Sequence, residues 1–421
     1  MSAARPPAAE ADEPGCNPGG RAEPRDGHFP EPTVLCKAVV MFSGQTGAPS
    51  RAGRWARMAT GAATLALLAA ACGSGSASPP TGTDSATSLP VTKAPSVGGP
   101  VRTWNGIIGQ GLAVTAGHTY LAWNHKGWKY SQPNLLSVLD PQTGGLYATV
   151  QLAGAFHQAL EAGGSLWVAE TTRQGALLER RNPNTLALLG TEPVDVGPSG
   201  FAPSIATASG SLWVAGGKTL TRLALPDGGM AASYPIAGQA GSSSLGHDPA
   251  ETELVVGWAS PGGVGGVQLR SGRTGSVIAQ STQPFYGVAT PFVSDIVDQV
   301  MWVSEPTGNM GYVESVQLPS VEARHSTIVE GSNGIRAWVL SGVLWISQQG
   351  GGPGQNYCGD PLTGRPWASF YGDLGATGHL GGLGGVYFYV FGTASDGTGI
   401  AQFAIPSSCR PATLTGESVS A

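Results

Sequence analysis

A short strand-like segment returns along most of the chain. It reads TYLAWN from Thr119, SLWVAE from Ser165, SLWVAG from Ser211, ELVVGW from Glu253, VMWVSE from Val300, VLWISQ from Val343 and VYFYVF from Val386, at spacings of 46, 46, 42, 47, 43 and 43 residues. A repeat of this length suits a four-stranded unit that buries its two faces only by stacking on its neighbours. Seven copies therefore predict an all-β fold, a seven-bladed β-propeller of four-stranded antiparallel blades over residues 101–410. Composition agrees: 65 of 421 residues are glycine and only 12% are charged, with no sustained apolar pattern at helical spacing. A formal charge of −5 argues against a broadly basic surface, so no nucleic-acid partner is expected.

Within the third unit the strands read SIATAS from Ser204, SLWVAG, TLTRLALP from Thr219 and AASYPIAG from Ala231, from inner to outer. Turns between third and outer strands carry DPQTG from Asp140 and DPLTG from Asp360, with NPNTL from Asn182 and SGRTG from Ser271 as variants. Proline suits the second turn position, and Asp or Asn at the first bonds back to the chain. The last unit has no outer strand of its own. VRTWNGI from Val101, ahead of a first inner strand GLAVTAG from Gly111, is expected to supply it and remove an exposed edge. The recurring large residue of each second strand, Leu121, Trp167, Trp213, Val255, Trp302, Trp345 or Phe388, reads as packing between blades.

The LWV-type strand combined with the D-P-x-T-G turn resembles the YVTN and NHL group of seven-bladed propellers, which includes the streptogramin B lyases. That resemblance implies a propeller fold but no single function, because such propellers serve as binding platforms, lyases and quinoprotein scaffolds. Streptogramin lyases use histidines and carboxylates with a divalent metal on one face, and His379 with Glu305 is the nearest analogue. The histidine-containing motifs are represented only by PFYGVA from Pro284 and SNGIRA from Ser332, which lack the histidine. No catalytic residue is assigned.

The first hundred residues read as an address. MATGAATLALLAAA over 58–71 follows Arg51, Arg54 and Arg57 and ends at Cys72, a secretory signal with a lipobox-like end. Residues 41–71 are thus expected to be a lipoprotein signal peptide with translation starting at Met41, and 1–40 to lie upstream of the true start or to be disordered. Cys72 is the expected lipidation site. Residues 72–100, rich in Ser, Thr, Pro and Gly, are expected to be a flexible tether, and 411–421 a disordered tail. The expected location is therefore outside the cytoplasm, on the cell membrane through an N-terminal lipid, and the expected state a monomer with an unknown envelope ligand or protein as partner. Of five cysteines, Cys358 and Cys409 remain after processing and acylation, and a disulfide between them is expected in an oxidising compartment.

Hydrolase and nucleotide motifs are absent from the sequence. HKGWKY from His125 is a loop that could contact an anionic surface or be a plain solvated loop. Sorting by repeat position places Gln158, Ser204, Arg336 and His379 at one point of four inner strands, with Leu112, Gly246 and Val293 filling the ring. Asn124, Glu170, Glu305 and Gln348 end four second strands on the same side, and His157, His247, Phe285 and Tyr286 lie near the starts of adjoining inner strands. The expected ligand-binding set is Arg336, His379, Gln158, Glu170 and Glu305, at the mouth of the central channel. No cofactor is expected, although a divalent cation fits the lyase alternative. The reading is a binding or scaffold module, with a metal-dependent lyase or a quinoprotein-like enzyme as alternatives.

Overall fold

The computed structural model describes residues 100–125, 133–195, 202–241, 244–260, 264–281, 285–286, 292–307, 310–330, 334–340, 342–349, 355–371, 379–384, 387–391 and 399–409. The signal segment, Cys72, the tether, most of the HKGWKY loop and the 411–421 tail lie outside them.

The described chain is an all-β propeller of antiparallel strands. Alternation explains why each strand forms. In the outer strands of the first and second units, Leu146–Gln151 and Leu188–Val194, exposed and half-buried positions interchange, as a sheet edge facing solvent requires. Second strands such as Ser165–Thr172 are instead buried on both faces for most of their length, because a neighbouring blade covers each face. The recurring large residue is the centre of that packing: Leu121, Trp167, Trp213, Val255 and Phe388 are fully buried, and Trp302 and Trp345 nearly so. The indoles of Trp167 and Trp213 donate to the carbonyls of Ala162 and Ala208, so the one polar atom of each ring is satisfied.

The number of separate blades is corrected. Five four-stranded blades form, whereas the third and fourth units share one eight-stranded sheet. The cause is the long outer strand Met230–Ala240, which runs past its own partner until Gln239 pairs with Ala259 of the next unit. The third unit's Ser211–Ala224 is continuous by backbone pairing yet holds two expected strands. Arg222 Nε donates to Ser211 Oγ at 2.9 Å. Eleven extended residues would separate those positions by about 36 Å, so the segment doubles back at Gly217, which has φ +53°.

Closure follows the expected route with shifted boundaries. Arg102–Trp104 is the outer strand of the last sheet, pairing Arg102 with Gln402 and Trp104 with Ile400. It is shorter than read from sequence, and the first inner strand starts at Ile107, four residues before Gly111. Gly106, at φ +79°, makes the turn that lets the chain cross between the two sheets. The last inner strand, His379–Gly384, packs on the first, Ile107–Thr115, so the ring is closed. The disulfide joins Cys358 in the Gln355–Gly359 strand to Cys409 in a short 3-10 turn.

Candidate functional site

Inner strands line an axial cavity of about 360 Å³. In Gly334–Leu340 the residues Ile335, Ala337 and Val339 are buried between blades. Period-two alternation therefore turns Arg336, Trp338 and Leu340 toward the channel, and all three line the cavity. The Ala155–Ala162 strand has a register shift between Phe156 and Gln158, and this irregularity places both His157 and Gln158 on the cavity wall.

Arg336 is the most unusual of these residues. Its guanidinium carbon sits 4.9 Å from the centroid of the Phe292 ring. Its Nε is buried without a hydrogen-bond partner, and among the described residues no carboxylate pairs with it. Burial lowers its pKa, but a guanidinium stays protonated at any physiological pH. His157 is pushed down to about 4, first by burial and then by the Arg336 charge, so it is neutral at pH 7. One ring nitrogen lies 2.7 Å from Thr171 Oγ1.

A different pair occupies another part of the wall. His247 Nδ1 lies 3.1 Å from Asp295 Oδ1, and the His247 backbone N–H donates to the same oxygen at 3.2 Å. The hydrogen bond that His247 donates to the Asp295 carboxylate raises the His247 pKa despite burial. This imidazole already has its counter-ion, whereas among the described residues none pairs with Arg336.

Of the expected site residues, the structure puts Arg336 and Gln158 on the cavity. Gln158, Ser204 and Arg336 share one register level, opposite Ala169, Ala215 and Ser347, each two residues beyond the recurring tryptophan. Leu112, Gly246 and Val293 lie one or two positions away from that level, opposite Leu121, Val255 and Val303. The Gln158 carboxamide accepts from Ile205 N–H at 2.9 Å and from Ser204 Oγ at 3.2 Å, and donates to Ile205 O at 2.8 Å. It thereby ties the second unit to the third. Ser204 Oγ passes the tie on by accepting from Leu245 N–H.

Glu170 does not reach the cavity. It is completely buried, with Oε2 accepting from Gly154 N–H at 2.6 Å and Oε1 unpartnered. Glu179 and Arg181 lie on the same blade face, opposite Val168 and Leu166, and their side chains pair at 2.6 Å. Burial, then the negative charge of Glu179, raises the Glu170 pKa to about 9. Glu305 pairs with Tyr312 and His379 with Phe391 through the backbone, while their side chains, with those of Gln348, Phe285 and Tyr286, lie outside the described atoms. Phe292, Trp338 and Asp295 line the cavity although sequence reasoning did not single them out. For Trp338 the signal was present, because GIRAWVL alternates with period two and puts it on the same face as Arg336.

No family model matches the chain, and no curated protein matches it in sequence. Solved structures match by fold. The WD40 domain of Toxoplasma gondii coronin aligns with a TM-score of 0.53 at 10% identity, covering 74% of this chain and 89% of that one. The RRP9 WD40 repeats align at 0.53 and 12% identity over 74% of this chain and 99% of that one. U3-55K aligns at 0.52 and 10% identity, over 74% and 100%. Identities this low support the β-propeller fold and nothing finer.

Proposed function

We propose that this chain is a binding or scaffold module of the cell envelope, anchored by a lipid on Cys72, whose ligand sits in the axial channel beside Arg336. The observation that carries the reading is a half-buried guanidinium on the wall of an open cavity, its Nε enclosed and unbonded, with no carboxylate paired to it among the described residues. A buried charge without a partner is costly, and structures keep one where something else supplies the counter-charge. The propeller likeness is consistent with a binding platform. The repeat count favours seven units of the YVTN and NHL kind, the eight-stranded sheet being two blades linked at the single pair Gln239–Ala259.

Two measurements test this reading. Mass spectrometry of the membrane fraction should find an acylated N-terminal peptide starting at Cys72, and an intact unmodified segment across 58–80 in the mature protein overturns the anchor. Thermal-shift screening with anionic, neutral and cationic small molecules should show stabilisation by anions. Gln110→Trp, which fills the cavity from the first inner strand, should abolish that shift, while Leu188→Ser on the outer surface should leave it intact. A shift that survives Gln110→Trp removes the ligand from the channel.

A further inference from the structure

We propose that the channel takes a small monocarboxylate, with the carboxylate on Arg336. This inference rests on the reading of the channel as a ligand site and specifies its chemistry. Charge decides the first part. Arg336 is the cavity's unpaired cation among the described residues, since His247 already faces Asp295 and His157 is uncharged at neutral pH. One positive charge left unpaired among the described residues matches one negative charge, and a phosphate dianion would enter with a charge left over.

Shape decides the second part. The Phe292 ring lies over the guanidinium, so contact with it constrains the plane of the group. The planar guanidinium offers a fork of parallel N–H donors that fits the two oxygens of a carboxylate. The rest of the wall mixes apolar side chains such as Leu112, Val293 and Trp338 with polar ones such as Gln110, Gln158 and Ser294. A volume of about 360 Å³ is near the lower end of small-molecule sites, which suits a single aromatic ring or a short acyl chain better than an extended polymer.

The test uses the full chain and calorimetric titration with benzoate and hexanoate, each beside its neutral partner, benzamide or hexanamide, and with inorganic phosphate. At least one acid should bind at least tenfold more tightly than its amide. Arg336→Gln should lose at least tenfold in affinity for that acid, and Arg336→Lys should recover only part of the loss because an ammonium cannot offer the planar fork. Equal binding of acid and amide overturns the proposal, and so does failure of both acids to bind at millimolar concentration. Phosphate binding more tightly than either acid overturns the carboxylate while leaving the channel as the site. Benzoate binding that survives Gln110→Trp instead refutes the channel reading itself. Should Arg336→Gln fail to fold, the acid and amide comparison on the unmodified chain still decides the matter.

Discussion

Glu170 shows how a residue chosen for function can belong to the packing. A carboxyl between two blades, beside the Glu179–Arg181 pair, keeps its proton because burial and a neighbouring negative charge both disfavour ionisation. Its pKa of about 9 in the folded chain stands against a usual value of 4.5. Between those values the folded state holds a proton that the unfolded state has lost, so stability is fully present at low pH and declines as pH rises toward 9. Glu170→Gln keeps an acceptor for Gly154 N–H and removes the titration. It should raise stability at pH 8 by on the order of 1–3 kcal/mol and change it little at pH 4.5, measured by denaturant unfolding at both values. An equal effect at the two pH values would show that Glu170 is not held neutral. The sequence placed Glu170 at the end of its strand, which in fact runs on to Thr172, and did not show which way Glu170 faced. That face is set by alternation from Leu166 and Val168, which pack on Tyr120 and Leu136 of the preceding unit. The unit's own Glu179–Arg181 pair carried a signal that was overlooked, since Gln268 and Arg270 repeat the same spacing and the same hydrogen-bonded contact in the fourth unit.

The D-P-x-T-G turns were legible as turns, and their bonds are those expected: Asp140 and Asp360 each accept from the backbone two and three residues on. The role of the final glycine was not legible, because what it touches lies in another unit. Gly364, at φ +70°, lies against Trp302 of the preceding blade, and an added Cβ would come within 2.5 Å of that ring. The same turn's Pro361 carbonyl accepts from the Trp302 indole at 2.7 Å. Gly228 meets Trp167 in the same manner. These turns therefore clasp the tryptophan of the neighbouring blade as well as reversing the chain. In NPNTL a leucine takes the glycine's place: Leu186 accepts φ +57° and is fully buried in the blade interface, so packing offsets the backbone strain. Gly106→Ala, at φ +79° with open space around it, should cost about 1–2 kcal/mol from backbone strain alone. Gly364→Ala should cost about 1–3 kcal/mol more than that, because the tryptophan must also give way. Denaturant unfolding of both variants measures the difference, and equal costs would refute the clasp.

For the whole molecule the decisive contact joins the two ends of the described propeller. The repeats made a ring foreseeable, and the missing last outer strand made its closure by the N-terminal segment foreseeable. Fusion of two units into one sheet was not, because it depends on a single pairing at the end of a strand that overruns. The closing strand does more than fill an edge. Arg102 bonds Gln402 at 2.9 Å and the Gln142 carbonyl at 3.1 Å, and the Trp104 indole donates to the Gly144 carbonyl at 3.1 Å. Gln402 in turn donates to the Pro141 carbonyl at 2.8 Å. The DPQTG turn of the first unit is thus bound to the last sheet, so removing three residues of strand also loosens the contact between the ends of the ring. The disulfide acts nearby but separately, closing a sequence separation of 51 residues, for which loop-closure entropy gives about 4 kcal/mol. A chain beginning at Gly106 should therefore lose several kcal/mol relative to one beginning at Pro100, and reduction of Cys358–Cys409 should lower stability further in both. If the closure argument holds, the truncated chain melts lower even with the disulfide intact. Identical melting of the two oxidised chains would show that the ring is held by its blade interfaces without the closing strand.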